Sequence, residues 1–338
     1  MTRDTLSDVL SSVRLRGAVF YYVSCGPEWA AEAPPAREIA AAVMPDVEHV
    51  MEFHVIIKGS GWAAVLGEAP VRLDAGDIVM FPQGDAHVMS SAPGLRPTKL
   101  DAEWVFATRS DPKPIPVAYH GAEQDATGRA PDAVSNLACG FLGCDLRPFN
   151  PLIATLPRLL HLPADGNGAW IAQVMQQAVN TSQNRRPGGE AVLERMSEMM
   201  FVDAVRRYVE TLPEQSTGWL AGLRDRHVGR ALELMHAQVA HDWTIEALAG
   251  KVALSRSALY DRFVRLVGQP PMQYLAQWRM QVASKLLRQS HAPVASIALD
   301  VGYESEAAFA RAFKRAVGMP PATWRRTRDA VRQTDLSG

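Results

Sequence analysis

LYDRFVRLVGQPP, residues 259–271, and FARAFKRAVGMPP, residues 309–321, repeat one pattern at a shift of 50 residues. The shared positions are apolar residues at helical spacing, followed by a glycine and two prolines. Leu259, Phe263, Val267, Gly268, Pro270 and Pro271 correspond to Phe309, Phe313, Val317, Gly318, Pro320 and Pro321. A glycine before prolines is a common helix end. Each copy therefore predicts a helix with one apolar face.

The residues before each copy add a second, shorter helix. TIEALAGKVALS (244–255) precedes the first copy and PVASIALDVGYES (293–305) precedes the second, whose turn has one extra residue. Thr244 and Ser255 are suited to cap the two helices of the first copy. The chain therefore predicts two helix-turn-helix motifs, over residues 244–268 and 294–318.

The stretch between the copies predicts one connecting helix. PPMQYLAQWRMQVASKLLRQS (270–290) begins with prolines and places its apolar residues on one stripe. About 19 helical residues rise roughly 28 Å, which approaches the ~34 Å of one turn of DNA. Two recognition helices joined by such a rod could enter successive major grooves.

Charge is divided unequally along the chain, although the formal net charge is only -1. Residues 219–338 carry 17 Lys and Arg against 10 Asp and Glu, whereas the rest carries 18 against 26. A domain-sized positive excess favours polyanion binding, because bound cationic groups release condensed counterions. A chance imbalance on a solvated surface gives the same count, so charge only supports the motifs.

From about residue 219 to 330 the chain resembles the DNA-binding domain of the AraC/XylS family of bacterial transcription regulators. The resemblance rests on the run from Ala298 to Arg325, AxxxGYESEAAFARAFKRAVGMPPxxWR, and on the twin GxPP ends. Helical bundles often imitate a single helix-turn-helix pattern, whereas two copies at this spacing are specific. The resemblance implies sequence-specific DNA binding by residues 218–330.

By this resemblance, the exposed face near the start of each second helix contacts bases. The residues so placed are Arg256, Ser257, Tyr260, Asp261, Glu306, Ala307 and Arg311. Four further basic residues are expected to contact phosphates, which position a protein without reading sequence. These are Arg262, Arg265, Lys314 and Arg315. The guanidinium fork of Arg311 suits guanine; for each of these side chains a solvated helix surface is the alternative. The expected core residues are Leu259, Phe263, Phe309, Phe313 and Trp324.

The N-terminal part changes to short apolar runs separated by Gly and Pro, which predicts an all-β sandwich or jelly roll. GAVFYYV, FHVIIKG, GWAAVLG and DIVMFP are typical of its strands. GDIVMFPQGDAH (76–87) resembles the second motif of the cupin barrels at Gly76, Pro82, Gly84 and His87, with the histidine at the start of the next strand. The chain departs from that motif at Ser91, where cupins usually have Asn.

The expected fold class is therefore α+β and multidomain. It comprises a cupin-like β-barrel (jelly roll) sensor over 1–150, a helical dimerisation and linker segment over 151–217, and an all-α double helix-turn-helix over 218–330. In the middle segment, AWIAQVMQQAVNTSQ and GEAVLERMSEMMFVDAVRRYVETL predict two amphipathic helices. Proteins of this resemblance commonly dimerise through such a pair, so a homodimer is expected; the alternative is that the apolar stripe of the second helix only covers the barrel. PEQSTGWLAG (213–222) is typical of a linker.

The first cupin motif is degraded. His54 could supply one of its histidines, but Ile56 does not supply the other, and Lys58 falls near the position of the usual glutamate ligand. A catalytic cupin site needs three or four nitrogen and oxygen ligands with an open position. We therefore expect the protein not to be an enzyme.

A different set of side chains could hold zinc. Two thiolates and two imidazoles would form a Cys2His2 site with no position open for catalysis. The candidates are His54, His87, Cys139 and Cys144, with His49 as a spare. The alternatives are buried side chains that bind nothing and reversible oxidation of the two cysteines.

Three cysteines, the lack of a secretory signal and the lack of a long apolar run favour a cytoplasmic protein with no membrane segment. The leading hypothesis is a transcription regulator, expected to be an activator. Its partners would be double-stranded promoter DNA, RNA polymerase and a small-molecule effector or metal. The alternatives are a metal-dependent cupin enzyme with an accessory DNA-binding tail and a zinc-stabilised scaffold that binds DNA constitutively.

Overall fold

The computed structural model describes residues 4–111, 113–119, 122, 130, 132–164, 170, 173–177 and 187–326. The chain divides into two compact units. The helical unit comprises Met1–Val13, Leu146–Thr155 and Val209–Gly338, and the β unit comprises Arg14–Asp145 and Leu156–Tyr208. Within the described ranges, no helix combines the length and hydropathy that a bilayer crossing requires.

The β unit is built from two antiparallel-rich sheets. Its strands are β1 (Arg16–Cys25), β2 (Ala30–Ala33), β3 (His49–Lys58), β4 (Ser60–Val65), β5 (Val71–Asp74), β6 (Ile78–Phe81), β7 (His87–Ser90), β8 (Thr98–Lys99), β9 (Ile115–Tyr119), β10 (Ser135–Cys144) and β11 (Leu160–Leu162). One sheet has the order β11-β6-β3-β10-β1-β9, and the other has the order β5-β4-β7-β2-β8. The two-sheet architecture expected from the spacing of apolar runs is confirmed, and His87 begins β7 as predicted.

The core of the β unit lies between its sheets. In β4, buried and partly exposed residues alternate, so one face of the strand points inward. β3 is buried along most of its length because neighbours cover both of its faces. One core cluster contains Ile56, Leu73, Val79, Phe81 and Met89, which come from both sheets. These contacts place the inward residues of β3 and β7 in a dry interior.

The first helix of the chain, α1 (Thr5–Ser12), belongs to the helical unit. The helices that accompany the strands are α2 (Ala36–Val43), α3 (Ala102–Thr108) and most of α4 (Gly189–Thr211). α4 packs tightly on β1, because a Cβ added at Gly17 would lie 2.5 Å from the Cβ of Ser197. The sequence predicted α4 as the second helix of the middle segment. The first, over residues 169–183, lies largely outside the described residues.

The helical unit contains the repeated motifs. After α1, its helices are α5 (Trp219–Arg224), α6 (Arg226–Ala237), α7 (Ile245–Lys251), α8 (Arg256–Val267), α9 (Pro271–Gln289), α10 (Val294–Asp300) and α11 (Glu306–Val317). The second helices of the two motifs, α8 and α11, have 12 residues each. α9 is the predicted connecting helix, and it has 19 residues.

The ends of the repeated helices follow the sequence pattern. Thr244 and Ser255 cap α7 and α8 with their hydroxyl oxygens, as predicted. Gly268 and Gly318 end α8 and α11 in the left-handed conformation, with φ of 81° and 88°. A side chain would strain both positions, so the repeated glycine ends each recognition helix.

The predicted linker 213–222 is only partly a linker. Its second half begins α5, where Trp219 and Leu220 are each 1% exposed. The Trp219 indole N–H donates a hydrogen bond to the hydroxyl of Tyr274 at 2.9 Å. The composition predicted a linker throughout, but the buried and hydrogen-bonded Trp219 makes the second half of the segment part of the packed helical unit.

Candidate nucleic-acid interface and buried cavity

α8 presents its predicted base-contacting face to solvent. The exposed residues on this helix include Arg256, Ser257, Tyr260, Asp261 and Arg265. Its opposite face is core, since Leu259 and Phe263 are fully buried. Arg256 also lies 3.2 Å from Glu246 of α7, in an ion pair whose members are both exposed. Such a pair contributes little to stability and leaves the guanidinium able to exchange partners.

α11 repeats this arrangement. Its exposed residues include Glu306, Ala307, Arg311, Lys314 and Arg315. Phe309, Phe313 and Val317 are buried in one cluster with Trp324 of the segment that follows. The five predicted core residues are therefore confirmed in both copies. Both helices therefore expose to solvent the faces that the sequence predicts to contact DNA.

Arg262 has an intramolecular partner that the sequence did not indicate. Its guanidinium Nη2 lies 2.6 Å from Oδ2 of Asp225, and Nε lies 2.8 Å from the same oxygen. Asp225 also caps α6 by accepting hydrogen bonds from the backbone N–H groups of His227 and Val228. Burial acts to raise the pKa of Asp225, but the hydrogen bonds from Arg262 and the backbone outweigh it and lower that pKa. Arg262 therefore joins α8 to the start of α6.

Arg279 of α9 connects the two motifs and was missed by the sequence analysis. It donates hydrogen bonds to the carbonyl oxygens of Val239 at 3.0 Å, His241 at 2.8 Å and Gly302 at 3.3 Å. Gly302 lies in the turn of the second motif, whereas the other two carbonyls precede the first. Because its guanidinium group already donates to three backbone carbonyl oxygens, Arg279 stabilises the backbone around it and is not available to bind DNA.

The β unit contains a cavity of about 110 Å³, whose wall includes the exposed side chains of Leu100 and Trp104. Most of its wall is apolar or aromatic: Tyr21, Val23, Trp29, Ile39, Met89, Leu100, Trp104, Val105, Leu137 and Phe141 all contribute. The strongly polar side chains in the wall are Glu52 and His54 of β3 and His87 of β7. Residues two apart on a strand share a face, so the alternation of β3 brings Glu52 and His54 to the same side.

The hydrogen bonds of the two histidines define their protonation. Nδ1 of His87 lies 3.1 Å from the carbonyl oxygen of Asp85, so Nδ1 carries the proton and Nε2 is an acceptor. Nε2 of His54 lies 2.8 Å from that Nε2 and therefore donates to it. Among the described residues, nothing hydrogen-bonds to His54 Nδ1, which is left as a buried acceptor. Glu52 Oε2 lies 3.9 Å from His87 Nε2, and Oε1 likewise lacks a partner among those residues.

Burial makes all three groups neutral near pH 7. It raises the pKa of Glu52 to about 8. It lowers the pKa of His87 to about 4, against the opposing effect of the Asp85 carbonyl and carboxylate. Burial, and then the neighbouring His87, lower the pKa of His54 well below its usual value. The charged form of each group is disfavoured because the wall offers little solvation.

Glu52, His54 and His87 form a group that could hold a metal ion, since one ligand atom from each lies within 4.8 Å of the others. Two imidazoles and a carboxylate are a common donor set for divalent metals, and the Asp85 carbonyl would orient His87 for this role. The structure does not gather the four predicted zinc ligands together. Neither Cys139, which lines the cavity, nor Cys144 belongs to the group that the described residues form.

The other residues that the sequence analysis considered as metal ligands are in surroundings that do not favour metal binding. Burial raises the pKa of both the Cys139 and the Cys144 thiol, which disfavours the thiolate. Cys144 pairs in register with the spare candidate His49, whose Nε2 lies 2.7 Å from the carbonyl oxygen of Pro82. Lys58 is exposed and donates to the carbonyl oxygen of Ala133. Glu52 was overlooked, although its position two residues before His54 on a strand could have indicated it.

Comparison with known proteins identifies the family. The Cupin family model matches residues 4–210, and the Helix-turn-helix domain model matches residues 248–327. A protein of Streptomyces lividans, named as a putative AraC-like transcription regulator, is 33% identical over 325 residues, which cover 96% of this chain and 98% of that protein. The chain belongs to the AraC-like transcription regulators. The resemblance found in its sequence is thereby confirmed, and this AraC-like protein is a DNA-binding regulator with a cupin-like N-terminal domain.

Two further proteins are similar over different lengths of the chain. The HTH-type transcriptional regulator AlkR of Acinetobacter baylyi is 27% identical over 327 residues, 95% of this chain and 99% of that protein. Among solved structures, the DNA-binding domain of AdpA in complex with a target DNA is 28% identical, with a TM-score of 0.31. The match covers 32% of this chain and 97% of that chain.

Proposed function

We propose that this regulator reads specific promoter sequences with α8 and α11 and that a small molecule in the cavity of the β unit changes its affinity for DNA. The observation that carries the first part is the matched pair of capped helices, each burying an aromatic face and exposing the predicted contact residues. Both begin at a serine N-cap, so their first turns present backbone N–H groups near any bound phosphate.

The exposed residues divide by position along each helix. Arg256, Tyr260 and Arg311 lie in the first halves of α8 and α11, where a recognition helix reaches base edges. Arg265, Lys314 and Arg315 lie in the second halves and suit phosphates. Base contacts determine which sequence is bound, whereas phosphate contacts add salt-sensitive affinity.

The test begins with genome-wide binding of the tagged full-length protein, followed by titration of the strongest site. Arg311→Ala should weaken that site by about 1–3 kcal/mol and relax the preference at one base pair. The matched control is Arg72→Ala, because Arg72 is exposed on β5 and pairs with Asp74 of the same strand. Binding without a shared sequence motif, or an unchanged preference in Arg311→Ala, would contradict sequence-specific reading.

The cavity supports the proposal that the β unit binds a small molecule, because it is concave and mostly apolar and because its polar atoms are grouped at Glu52, His54 and His87. A ligand changes DNA binding only if it binds two states of the protein differently. Compounds that raise the melting temperature should therefore be tested for an effect on promoter affinity. Ala31→Trp, which fills the cavity, should remove such an effect and leave DNA binding in the absence of ligand unchanged; a response that survives it would place the effector elsewhere.

A second copy of the chain and RNA polymerase are the proposed protein partners. α4 carries the exposed apolar side chains Val192, Met199 and Val202, which lie at helical spacing on the outside of the β unit. We propose that two α4 helices meet there and that the dimer acts as an activator without catalysing a reaction. Sedimentation of Val202→Asp should give a monomer if this is correct, while Arg72→Ala, an exposed change on β5, should remain dimeric.

A further inference from the structure

The cavity contains buried polar atoms whose hydrogen-bonding capacity is not used by the described residues. Oε1 of Glu52 and Nδ1 of His54 each lack a partner there, and both side chains are almost fully buried. Nδ1 of His54 is an acceptor, given the hydrogen bonds that fix the other imidazole nitrogens, and Oε1 of Glu52 is an acceptor when the carboxyl group is ionised beside a cation. The indole N–H of Trp29 is an unpartnered donor in the same wall, but it is neutral. A buried acceptor without a donor is unfavourable, so the site is complementary to a ligand rich in donors.

The charges in the wall of the cavity also favour a ligand rich in hydrogen-bond donors. Among the described residues that line the cavity, Glu52 is the one carboxyl group, and none is Lys or Arg. Burial keeps this carboxyl group neutral as long as no cation compensates its charge, and these residues supply none. An anionic ligand would face an acidic side chain without any basic partner. A ligand that carries a positive charge would complete the site.

The rest of the wall suits an apolar body. Tyr21, Trp29 and Trp104 provide aromatic surface, and the rings of Tyr21 and Trp104 lie 5.2 Å apart. Aromatic faces attract cations, most strongly where water is excluded. The volume is of the order that accepts a small ring, since cavities of roughly 150 Å³ bind benzene.

We propose that the cavity binds an organic cation: a primary or secondary ammonium group on a small apolar, preferably aromatic, body, with the ammonium donating to Glu52 and His54. This inference rests on the proposed function in taking the cavity as the effector site. An ammonium ion supplies several donors and no acceptor, as the unpartnered atoms require. A carboxylic acid of the same size would bind poorly, and an alcohol would bind between the two.

Calorimetric titration of the full chain with three matched probes tests the head group. Phenethylamine, phenethyl alcohol and phenylacetate share one apolar body. The amine should bind at least about tenfold more tightly than the alcohol, as expected for charge-assisted hydrogen bonds, and phenylacetate should bind least. Equal or tighter binding of phenylacetate would overturn the proposal. This comparison needs no variant, so it holds even if changes in the cavity impair folding.

Two variants then locate the interaction. Glu52→Gln keeps the shape of the side chain and removes the charge that Glu52 would carry beside a bound ammonium group, so it should abolish the preference for the amine over the alcohol. Binding of the alcohol should stay within about twofold, since its contacts are mostly apolar. Glu28→Gln is the matched control, because Glu28 is exposed and does not line the cavity. A preference for the amine that persists in Glu52→Gln would overturn the assignment.

A metal ion is the competing occupant of the same three side chains. Protein treated with chelator is therefore also titrated with Zn²⁺ alone. Zinc binding that Glu52→Gln abolishes, together with no preference for the amine, would overturn the proposal in favour of a metal. The probe titrations contain no DNA, so their outcome is separate from that of the promoter titration. Selective amine binding that leaves promoter affinity unchanged would contradict the effector role but leave the ligand class in place.

Discussion

Arg262 and Arg265 lie three residues apart on α8 and have different surroundings. Arg262 is partly buried against Asp225, whereas Arg265 is exposed. From the sequence alone both were phosphate contacts, because residue type and spacing do not reveal a partner 37 positions away. For Glu52 the spacing from His54 was a local signal, but the spacing does not reveal His87, which comes from another sheet and completes the group. Side chains whose role depends on local periodicity were predicted well, and those with distant partners were not.

The two arginines should respond differently to substitution. Arg262→Ala should lower the free energy of unfolding by about 1 kcal/mol, because it removes a partly exposed ion pair at the α6 cap. Arg265→Ala should leave that free energy nearly unchanged but reduce the salt slope of DNA binding by about one. Chemical unfolding and promoter titration at several salt concentrations measure both quantities. A reduced salt slope in Arg262→Ala would instead identify it as a phosphate contact.

His236 should make the helical unit sensitive to acid. The Tyr274 hydroxyl accepts from Trp219 and therefore donates to Nε2 of His236, which must be unprotonated. Burial lowers the pKa of His236 below its usual 6.5, despite the nearby Asp8 carboxylate. The unfolded chain thus binds the proton first, so stability present at neutral pH is lost as the pH falls below about 6.5.

His236→Gln should remove this part of the acid sensitivity, since a glutamine oxygen can accept from Tyr274 without titrating. Melting temperature measured between about pH 7 and pH 5 would show a smaller decline than in the wild type. His291→Gln is the control, because His291 is exposed. An identical decline in wild type and His236→Gln would contradict the assignment.

At the scale of elements, the helical repeat was predictable and the sheet pairings were not. The caps, lengths and ends of α7 to α11 follow residues within one turn, which the sequence displays directly. The parallel pairings of β9 with β1 and of β8 with β2 depend on segments far apart in the chain. Short runs such as Thr98–Lys99 have no periodicity of their own. Tertiary contacts decide such strands, so sequence pattern indicated their class but not their order.

The glycines of the two motifs should differ in their tolerance of alanine. Gly268 has a φ of +81°, and no atom of the described residues lies within 4 Å of the position that a Cβ would take, so Gly268→Ala should destabilise by backbone strain alone, about 1 kcal/mol. Gly302 has the same φ, but a Cβ there would lie 2.8 Å from Nη2 of Arg279 and 2.9 Å from the backbone carbonyl oxygen of Ala240. Gly302→Ala should therefore destabilise by about 2–3 kcal/mol. Denaturant unfolding of both variants tests this order, and equal losses would contradict a steric cost at Gly302 beyond its backbone strain.

At the scale of the whole molecule, the helical unit is assembled from three separate chain segments. The sequence assigned residues 1–13 to the sensor domain, yet α1 packs in the helical unit, where Val9 is fully buried. Gln281 of α9 holds two of the segments through their backbones. It accepts from the N–H of Phe149 at 3.1 Å and donates to the carbonyl oxygen of Ser12 at 2.8 Å. Nothing in the local pattern of α1 indicates which unit it joins.

Val9→Ala should therefore destabilise the helical unit, although residue 9 is more than 200 positions from the DNA-binding motifs. Loss of two buried methyl groups and the resulting cavity should lower the free energy of unfolding by about 2 kcal/mol. Leu10→Ala is the control, because Leu10 is only partly buried. Hydrogen exchange should show reduced protection in α6 and α9. Reduced protection confined to the β strands would contradict the assignment of α1 to the helical unit.

The threefold origin of the helical unit affects how such regulators can be recombined. The chain passes between the units after residues 13, 145, 155 and 208. A hybrid gene with a single junction near residue 209 would combine the recognition helices of one relative with α1 and the 146–155 segment of another. Its Gln281 would then have to match backbone inherited from the other parent. Functional exchange of promoter specificity should therefore require the three segments to be transplanted together.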